Sequence, residues 1–279
     1  MIRATEADRA EIAACLAPLS EYAMFPLSNL AHHGMQGGHP HAVAFWIARK
    51  AGQITDILTQ TDAGMLIPVL PSQDYAAAAL ALQGRTTVGI VGRADWARGL
   101  EATCHLTAAP STLNRHEPHY LLDLSDLRTP QGAGTLVPLS QIPTPIIKTW
   151  MVDYEVEALN TPAGQAPARV DQSYARRIAA ASHMALVDGN TPLAMTGCNA
   201  RLPDIVQVGG VYTPAELRGQ GHARRAVALH LAQARAAGVT RATLFSANPM
   251  ASRAYRAIGF RPIGDWTLIL YPDPQVIHG

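Results

Sequence analysis

The stretch Arg218-Gly219-Gln220-Gly221-His222-Ala223 has residue types and spacing suited to holding a phosphate. It lies between an apolar run ending at Val211 and a segment whose Ala223, Ala226, Val227, Leu231 and Ala234 share one face at helical spacing. A helix N-terminus carries unpaired N–H groups and the positive end of the helix dipole. Two glycines just before it remove Cβ atoms, so the backbone can approach an anion and cradle its oxygens. Arg218 and Arg224 can add charge-assisted bonds. The glycines would serve equally well to shape a tight turn. Thr213-Pro214-Ala215-Glu216 also has the spacing of a capping box with proline at the first helical position. The segment is not a dinucleotide fingerprint, because a third glycine is missing, and no Gly-Lys-Ser/Thr follows to make a P-loop.

A second set of residues begins at Asn248. Asn248 is a good helix N-cap, Pro249 suits the first helical position and Gly259 suits the stop. Asn248 and Tyr255 are seven residues apart, two helical turns, so they point to the same side.

Taken together, Val211-Tyr-Thr-Pro214, Arg218 to Ala223 and Ala247-Asn-Pro-Met-Ala-Ser-Arg-Ala-Tyr-Arg-Ala-Ile-Gly-Phe260 resemble the GCN5-related N-acetyltransferase (GNAT) superfamily. The resemblance covers roughly residues 134–272. Two ordered motifs are far more specific than either alone. The resemblance implies that acetyl-coenzyme A binds here, with the backbone of Val211, Tyr212 and Thr213 holding the pantetheine arm. The amides and side chains of Arg218, Gly219, Gln220, Gly221, His222, Ala223 and Arg224 would bind the pyrophosphate. Asn248 would contact the pantetheine, and Tyr255 would sit near the thioester sulfur, placed to protonate the departing thiolate. The stretch Ser246-Ala-Asn-Pro-Met-Ala-Ser-Arg253 is shorter and less polar than in relatives with this pattern.

An amine acceptor must lose a proton before it attacks. The candidate carboxylates are Glu155, Glu157, Asp204 and Glu216. The first helices of the superfamily line the acceptor pocket, which singles out Trp150, Tyr154, Glu155 and Glu157, with Glu155 taken as the catalytic candidate. A bound water could serve instead.

Elements must position these groups. In the first half the pattern predicts a helix over 6–18, strands at 42–49, 53–60 and 65–70, a helix over 73–82, a strand at 86–91, a helix over 94–102 and a strand at 120–124. The breaks at Lys50-Ala51-Gly52 and Thr61-Asp62-Ala63-Gly64 are hairpin turns. In the second half it predicts a strand at 135–138, helices over 144–159 and 170–183, and strands at 184–187, 192–199 and 205–212. A helix over 221–237, a strand at 241–246, a helix over 249–258 and a strand at 267–271 complete it. Both halves share an order of elements, which suggests an old tandem duplication. Thr129–Gly134 is the linker reading, dividing residues 1–130, an α/β domain that may have lost its cofactor site, from a GNAT domain at 134–279. Where the third strand of the first half ends, Leu70-Pro-Ser-Gln-Asp74 replaces the glycine loop. The expected fold class is a mixed α/β (α+β) sheet. The first half is expected to cover the acceptor pocket or to mediate homodimerisation.

Composition sets the outer limits. Of 279 residues, 48% are hydrophobic and 15% charged, enough to build two cores. A net charge of +1 without a basic stripe argues against a nucleic-acid partner. Cys15, Cys104 and Cys198 form no disulfide framework and point to a reducing, cytoplasmic setting. The N-terminus has no apolar signal region, and no run reaches the ~18 apolar residues needed to span a bilayer. His32, His33, His39 and His41 surround a glycine loop without accompanying cysteines or carboxylates, so no metal is expected. The expected activity is acetyl transfer from acetyl-coenzyme A to a small-molecule or peptide amine by direct attack. The alternative is an acyl-coenzyme A sensor that binds without turnover.

Overall fold

The computed structural model describes residues 1–35, 37–246 and 248–278. Gln36, Ala247 and Gly279 lie outside the described residues, so the first residue of the second motif has no structural account. Contacts divide the chain into two compact units, Met1–Glu117 with Gly264–Gly279, and Pro118–Ile263. The Thr129–Gly134 stretch therefore lies inside the second unit.

The first unit contains β1 (Ile2–Arg3), α1 (Arg9–Leu16), α2 (Ser20–His33), β2 (Val43–Lys50), β3 (Gln53–Thr61) and β4 (Met65–Val69). α3 (Tyr75–Leu82), β5 (Thr86–Arg93) and α4 (Ala94–Thr103) follow, with the start of β6 (Leu113–Asp123). The second holds the rest of β6, then β7 (Thr135–Pro138), α5 (Thr144–Leu159), α6 (Ala166–Ala179), β8 (His183–Asp188), β9 (Thr191–Arg201) and β10 (Ile205–Tyr212). α7 (His222–Ala236), β11 (Arg241–Phe245), α8 (Pro249–Ala257) and the start of β12 (Arg261–Val276) complete it.

Most elements fall where apolar periodicity puts them. The exceptions have physical causes. α2 is absent from the sequence reading because Pro18 and Pro26 break the pattern. Pro26 sits inside α2, and the helix absorbs it with a kink at Ala23 (φ −111°). α6 starts four residues earlier than expected, with proline in its first turn, where the missing N–H costs nothing.

Strand order repeats between the units. The first reads β1-β2-β3-β4-β5-β12 and the second β7-β8-β9-β10-β11-β6. In each, one parallel pair lies among antiparallel neighbours, β4 with β5 and β10 with β11. The last strand comes from elsewhere in the sequence. Trp266 to Val276 of β12 pair with β5, and His119 to Asp123 of β6 pair with β11. Duplication is thus written in the topology as well as in the order of elements.

The first unit's core gathers Phe45, Ile47, Leu58, Leu66 and Ile90 with Ile12, Leu16, Leu82 and Trp96. The second unit is packed on both faces of its sheet. On one, Val206, Val208 and Leu244 meet Val227 and Leu231 of α7 and Tyr255 and Ile258 of α8. On the other, Ala185, Met195 and Tyr212 meet Ile147, Trp150 and Met151 of α5 and Val170 of α6. Helices α5 and α6 thus cover the sheet face opposite α7 and α8.

Candidate active site

The site is built on the end of β10. β10 and β11 pair in parallel at Ile205/Arg241, Val206/Ala242 and Gln207/Thr243. The ladder stops there among the described residues, although β10 continues to Tyr212 and β11 to Phe245. Against β9, β10 slips register twice, between Gln207 and Val208 and between Gly209 and Tyr212. Gly210 lies in the second slip with φ +61°, a left-handed conformation that favours glycine. The strand thus bulges where it stops pairing with β11, leaving backbone groups of Val208 to Tyr212 without a β11 partner.

The glycine loop follows. Gly219 and Gly221 have φ of +80° and +83°, so both the turn reading and the open-backbone reading hold. Gly221 is the N-cap of α7 and supplies no side-chain cap. The consecutive amides of Gly219 to Arg224 donate to no protein acceptor among the described residues. Two more polar atoms are orphaned at the loop, Thr213 Oγ1 and Arg224 Nε, both buried without a partner. Open amides at a helix N-terminus, a cationic side chain and a hydroxyl form an anion cradle. This donor set fits the pyrophosphate of coenzyme A.

The expected capping box at Thr213 does not form. The turn there is a 3₁₀ turn over Ala215–Leu217 with Pro214 at its cap and no side-chain cap bond. Gln220 and His222 are within 3.3 Å of each other, Gln220 Oε1 to His222 Nε2. Ala223 is half-buried in the first turn of α7, whose buried face starts at Ala226, and Arg224 reaches back past Gly221.

Arg218 is engaged with α5 and the end of β10. Its Nε donates to the Thr213 carbonyl at 2.9 Å and its Nη2 to Glu157 Oε2 at 2.7 Å. Its guanidinium lies 5.6 Å from the Tyr212 ring centroid. Tyr212 donates its hydroxyl to Asp153 Oδ2 at 3.1 Å, and Trp150 packs 6.4 Å from its ring. Burial, then Asp153, pushes the Tyr212 phenol up to about 12, so it keeps its proton. Trp150, Asp153 and Glu157 follow each other at helical spacing on α5. Asp153 was not singled out from the sequence, although its spacing from Trp150 and Glu157 was the available signal.

Glu155 lies elsewhere on α5, about 200° around the helix from both Asp153 and Glu157. It is 7% exposed and its Oε2 accepts from Thr161 Oγ1 at 2.9 Å. It closes the helix C-terminus and is not brought to the Tyr212–Arg218 end. Asp204 pairs with Arg241 at 2.6 Å at the opposite end of β10, and Glu216 is exposed on the 3₁₀ turn. Tyr154 packs at the edge of the α5–α6 core.

On the opposite face Asn248 caps α8, its Oδ1 accepting from Ala251 N at 2.9 Å. Tyr255 sits two turns on, 8% exposed, edge-on to Phe260 at 6.0 Å. Val206, Val208 and the half-buried Val211 belong to the same cluster, so Tyr255 and β10 are brought together.

The histidine loop gathers its rings, with His33 stacked on His39 at 3.8 Å and His41 within 5.7 Å of both. Among the described residues no three metal-ligating side chains are arranged to hold an ion. Nor is any described helix long and apolar enough to cross a membrane.

Residues 146–260 match the acetyltransferase (GNAT) family and form a GNAT acetyltransferase domain, a transferase built for acyl transfer. Comparison with curated proteins gives no match. Solved structures share the fold over both units. A GCN5-related N-acetyltransferase from Sphaerobacter thermophilus aligns with TM-score 0.58 at 14% identity, covering 100% of this chain and 95% of that one. A tandem GNAT protein from the clavulanic acid biosynthesis pathway aligns with TM-score 0.55 at 16% identity, covering 94% and 93%. A GNAT-family acetyltransferase from Colwellia psychrerythraea gives 0.51 at 17% identity, covering 92% and 96%. At such identities the likeness is one of fold, and it extends to the first unit.

Proposed function

We propose that the second unit transfers an acetyl group from acetyl-coenzyme A to an amine by direct attack. The observation that carries this reading is the run of undonated amides from Gly219 to Arg224, which begins where the bulged end of β10 leads into α7. The bound cofactor would supply a thioester carbonyl that an amine can attack. The amides of Gly219 to Arg224, with Thr213 Oγ1 and Arg224 Nε, would hold the pyrophosphate. Backbone groups of Val211 and Thr213 would align the pantetheine arm as a further strand, with Asn248 beside it.

Proton handling falls to two side chains on opposite faces of β10. Tyr255 would give its hydroxyl proton to the departing sulfur. A phenol of pKa about 10 and a thiol of about 8.5 differ by ~2 kcal/mol, a deficit that local hydrogen bonds can offset. Asp153, held by the Tyr212 hydroxyl, is the carboxylate best placed to take the acceptor's proton. Neither step requires a nucleophile on the enzyme. Cys198 is buried, and burial holds its thiol above the ordinary range.

The test is thiol release from acetyl-coenzyme A across a panel of amines. Amine-dependent release that Tyr255→Phe slows supports transfer. Tight cofactor binding with no release for any amine would favour a binding module instead.

A further inference from the structure

A cleft in the first unit has no role in the scheme above. It holds about 470 Å³ and is lined by Arg3, Gln60, Thr61, Asp62, Arg85 and Thr86. That is the size of a small-metabolite site. It lies where β3 ends and β5 begins, at the opposite end of the sheet from Val69, where β4 ends. In strand order β4 corresponds to β10, so the cleft is not the place of a duplicated cofactor cradle.

Sheet register brings its cations together. Arg3 of β1 is opposite Trp46 of β2, and Gln60 of β3 is opposite Ala44, two positions before Trp46. Opposed residues and residues two apart share a face, so Arg3, Trp46 and Gln60 lie on one side of the sheet. Arg85 arrives from the turn before β5. Its Nε donates to Gln60 Oε1 at 2.8 Å, and Gln60 Nε2 donates to the Thr86 carbonyl at 2.8 Å. Gln60 is 3% exposed, so a buried amide holds this guanidinium in place. The guanidinium carbons of Arg3 and Arg85 lie 4.4 Å and 5.0 Å from the centroid of the Trp46 ring. Two like charges thus share one buried ring.

No carboxylate among the described residues answers them. Asp62 lines the cleft, but its Oδ2 accepts from Gly38 N at 3.3 Å and it forms an ion pair with neither arginine. Among the described residues the Arg3 guanidinium has no hydrogen-bond partner, and that of Arg85 has only Gln60. Like charges held close repel unless an anion joins them. Guanidinium forks match phosphate and carboxylate oxygens. A carboxylate carries one charge and occupies one fork, whereas a phosphate monoester carries about −1.5 to −2 on three oxygens and suits two. We propose that this cleft binds a phosphate dianion, with Arg3 and Arg85 as its ligands and Gln60 positioning Arg85. The proposal stands apart from the transfer reading, since every group in it belongs to the first unit.

The experiment titrates the full chain by calorimetry with inorganic phosphate, glycerol 3-phosphate and succinate in a phosphate-free buffer. The cradle at Gly219 to Arg224 could also take phosphate, so the titrations are repeated on the Gly219→Glu, Gly221→Glu double variant. Phosphate binding should persist in that variant and exceed succinate binding by about tenfold. In the same background Arg3→Gln and Arg85→Gln should each weaken it by about tenfold, with Tm unchanged. Arg85→Lys, which keeps the charge but loses the fork, should recover only part of the affinity. Glycerol 3-phosphate binding more tightly than inorganic phosphate supports the site with an organic monoester as its ligand, and equal affinities support it with the free ion. Binding that disappears in the glycine double variant belongs to the cradle and overturns the proposal. Affinity that survives loss of both arginines, succinate binding as tightly as phosphate, or no phosphate binding at all overturns it too.

Discussion

The two units share a strand order and a parallel central pair, yet they treat the end of that pair in opposite ways. In both, the parallel ladder ends before its strands do, at Gln207/Thr243 and at Leu66/Ile90, but β10 slips twice against β9 while β4 pairs with β3 from Leu66 to Val69 without a slip. Pro68 on β4 has no N–H to offer, and it packs against the place where a Cβ of Gly92 on β5 would stand, at 3.4 Å. The following helix differs as well. α3 begins with Asp74, whose Oδ1 accepts from Ala77 N at 3.0 Å and whose carbonyl accepts from Ala78 N at 3.2 Å. A carboxylate thus occupies the helix N-terminus that α7 leaves open behind Gly221. The same fold can leave a helix N-terminus open or cap it with a side chain, and a few residues at one strand end decide which.

That contrast can be broken at several points. The largest effect should come from Gly219→Glu with Gly221→Glu, which places carboxylates in the cradle on backbone with positive φ. Coenzyme A affinity should fall at least about 100-fold by calorimetry, with the circular dichroism spectrum retained. Asp153→Asn should lower kcat/KM by about 100-fold, in the range of a lost general base, while cofactor affinity holds. Tyr255→Phe should reduce kcat by about tenfold, since the proton it would supply is a small part of the barrier.

A smaller effect separates the units by pH. Burial lowers His119 and His183 from 6.5 to about 3 and His230 to about 4, and all three belong to the second unit. The unfolded chain takes up protons below about 6.5 that the folded unit refuses. Stability is therefore fully present above about 6.5 and is lost as pH falls toward 4 and 3. Tm measured from pH 7 to 4 should fall, and His183→Gln should flatten the slope. The smallest effect is in the first unit, where Asp74→Ala should cost about 1 kcal/mol of stability without creating coenzyme A binding.

Sequence made the C-terminal site legible because its chemistry is local. The glycine loop, the Asn248 cap and Tyr255 two turns later are read from spacing within one segment. Asp153 was not, because its place beside Tyr212 depends on packing between α5 and β10. Glu155 was the candidate read from the sequence, and two positions around one helix separate this buried helix-closing carboxylate from Asp153, which faces Tyr212. The bulge at Gly210 and the return of β12 to the first unit are long-range pairings, invisible to periodicity. α2 was hidden by Pro18, which lies in the turn just before it, and by Pro26, which the helix accommodates.

The most direct test is the stoichiometry of acetyl-coenzyme A binding to the whole chain by calorimetry. One site per chain, lost with the Gly219→Glu, Gly221→Glu double variant, is the predicted result. Two sites per chain, or one that survives the double variant, would contradict the account.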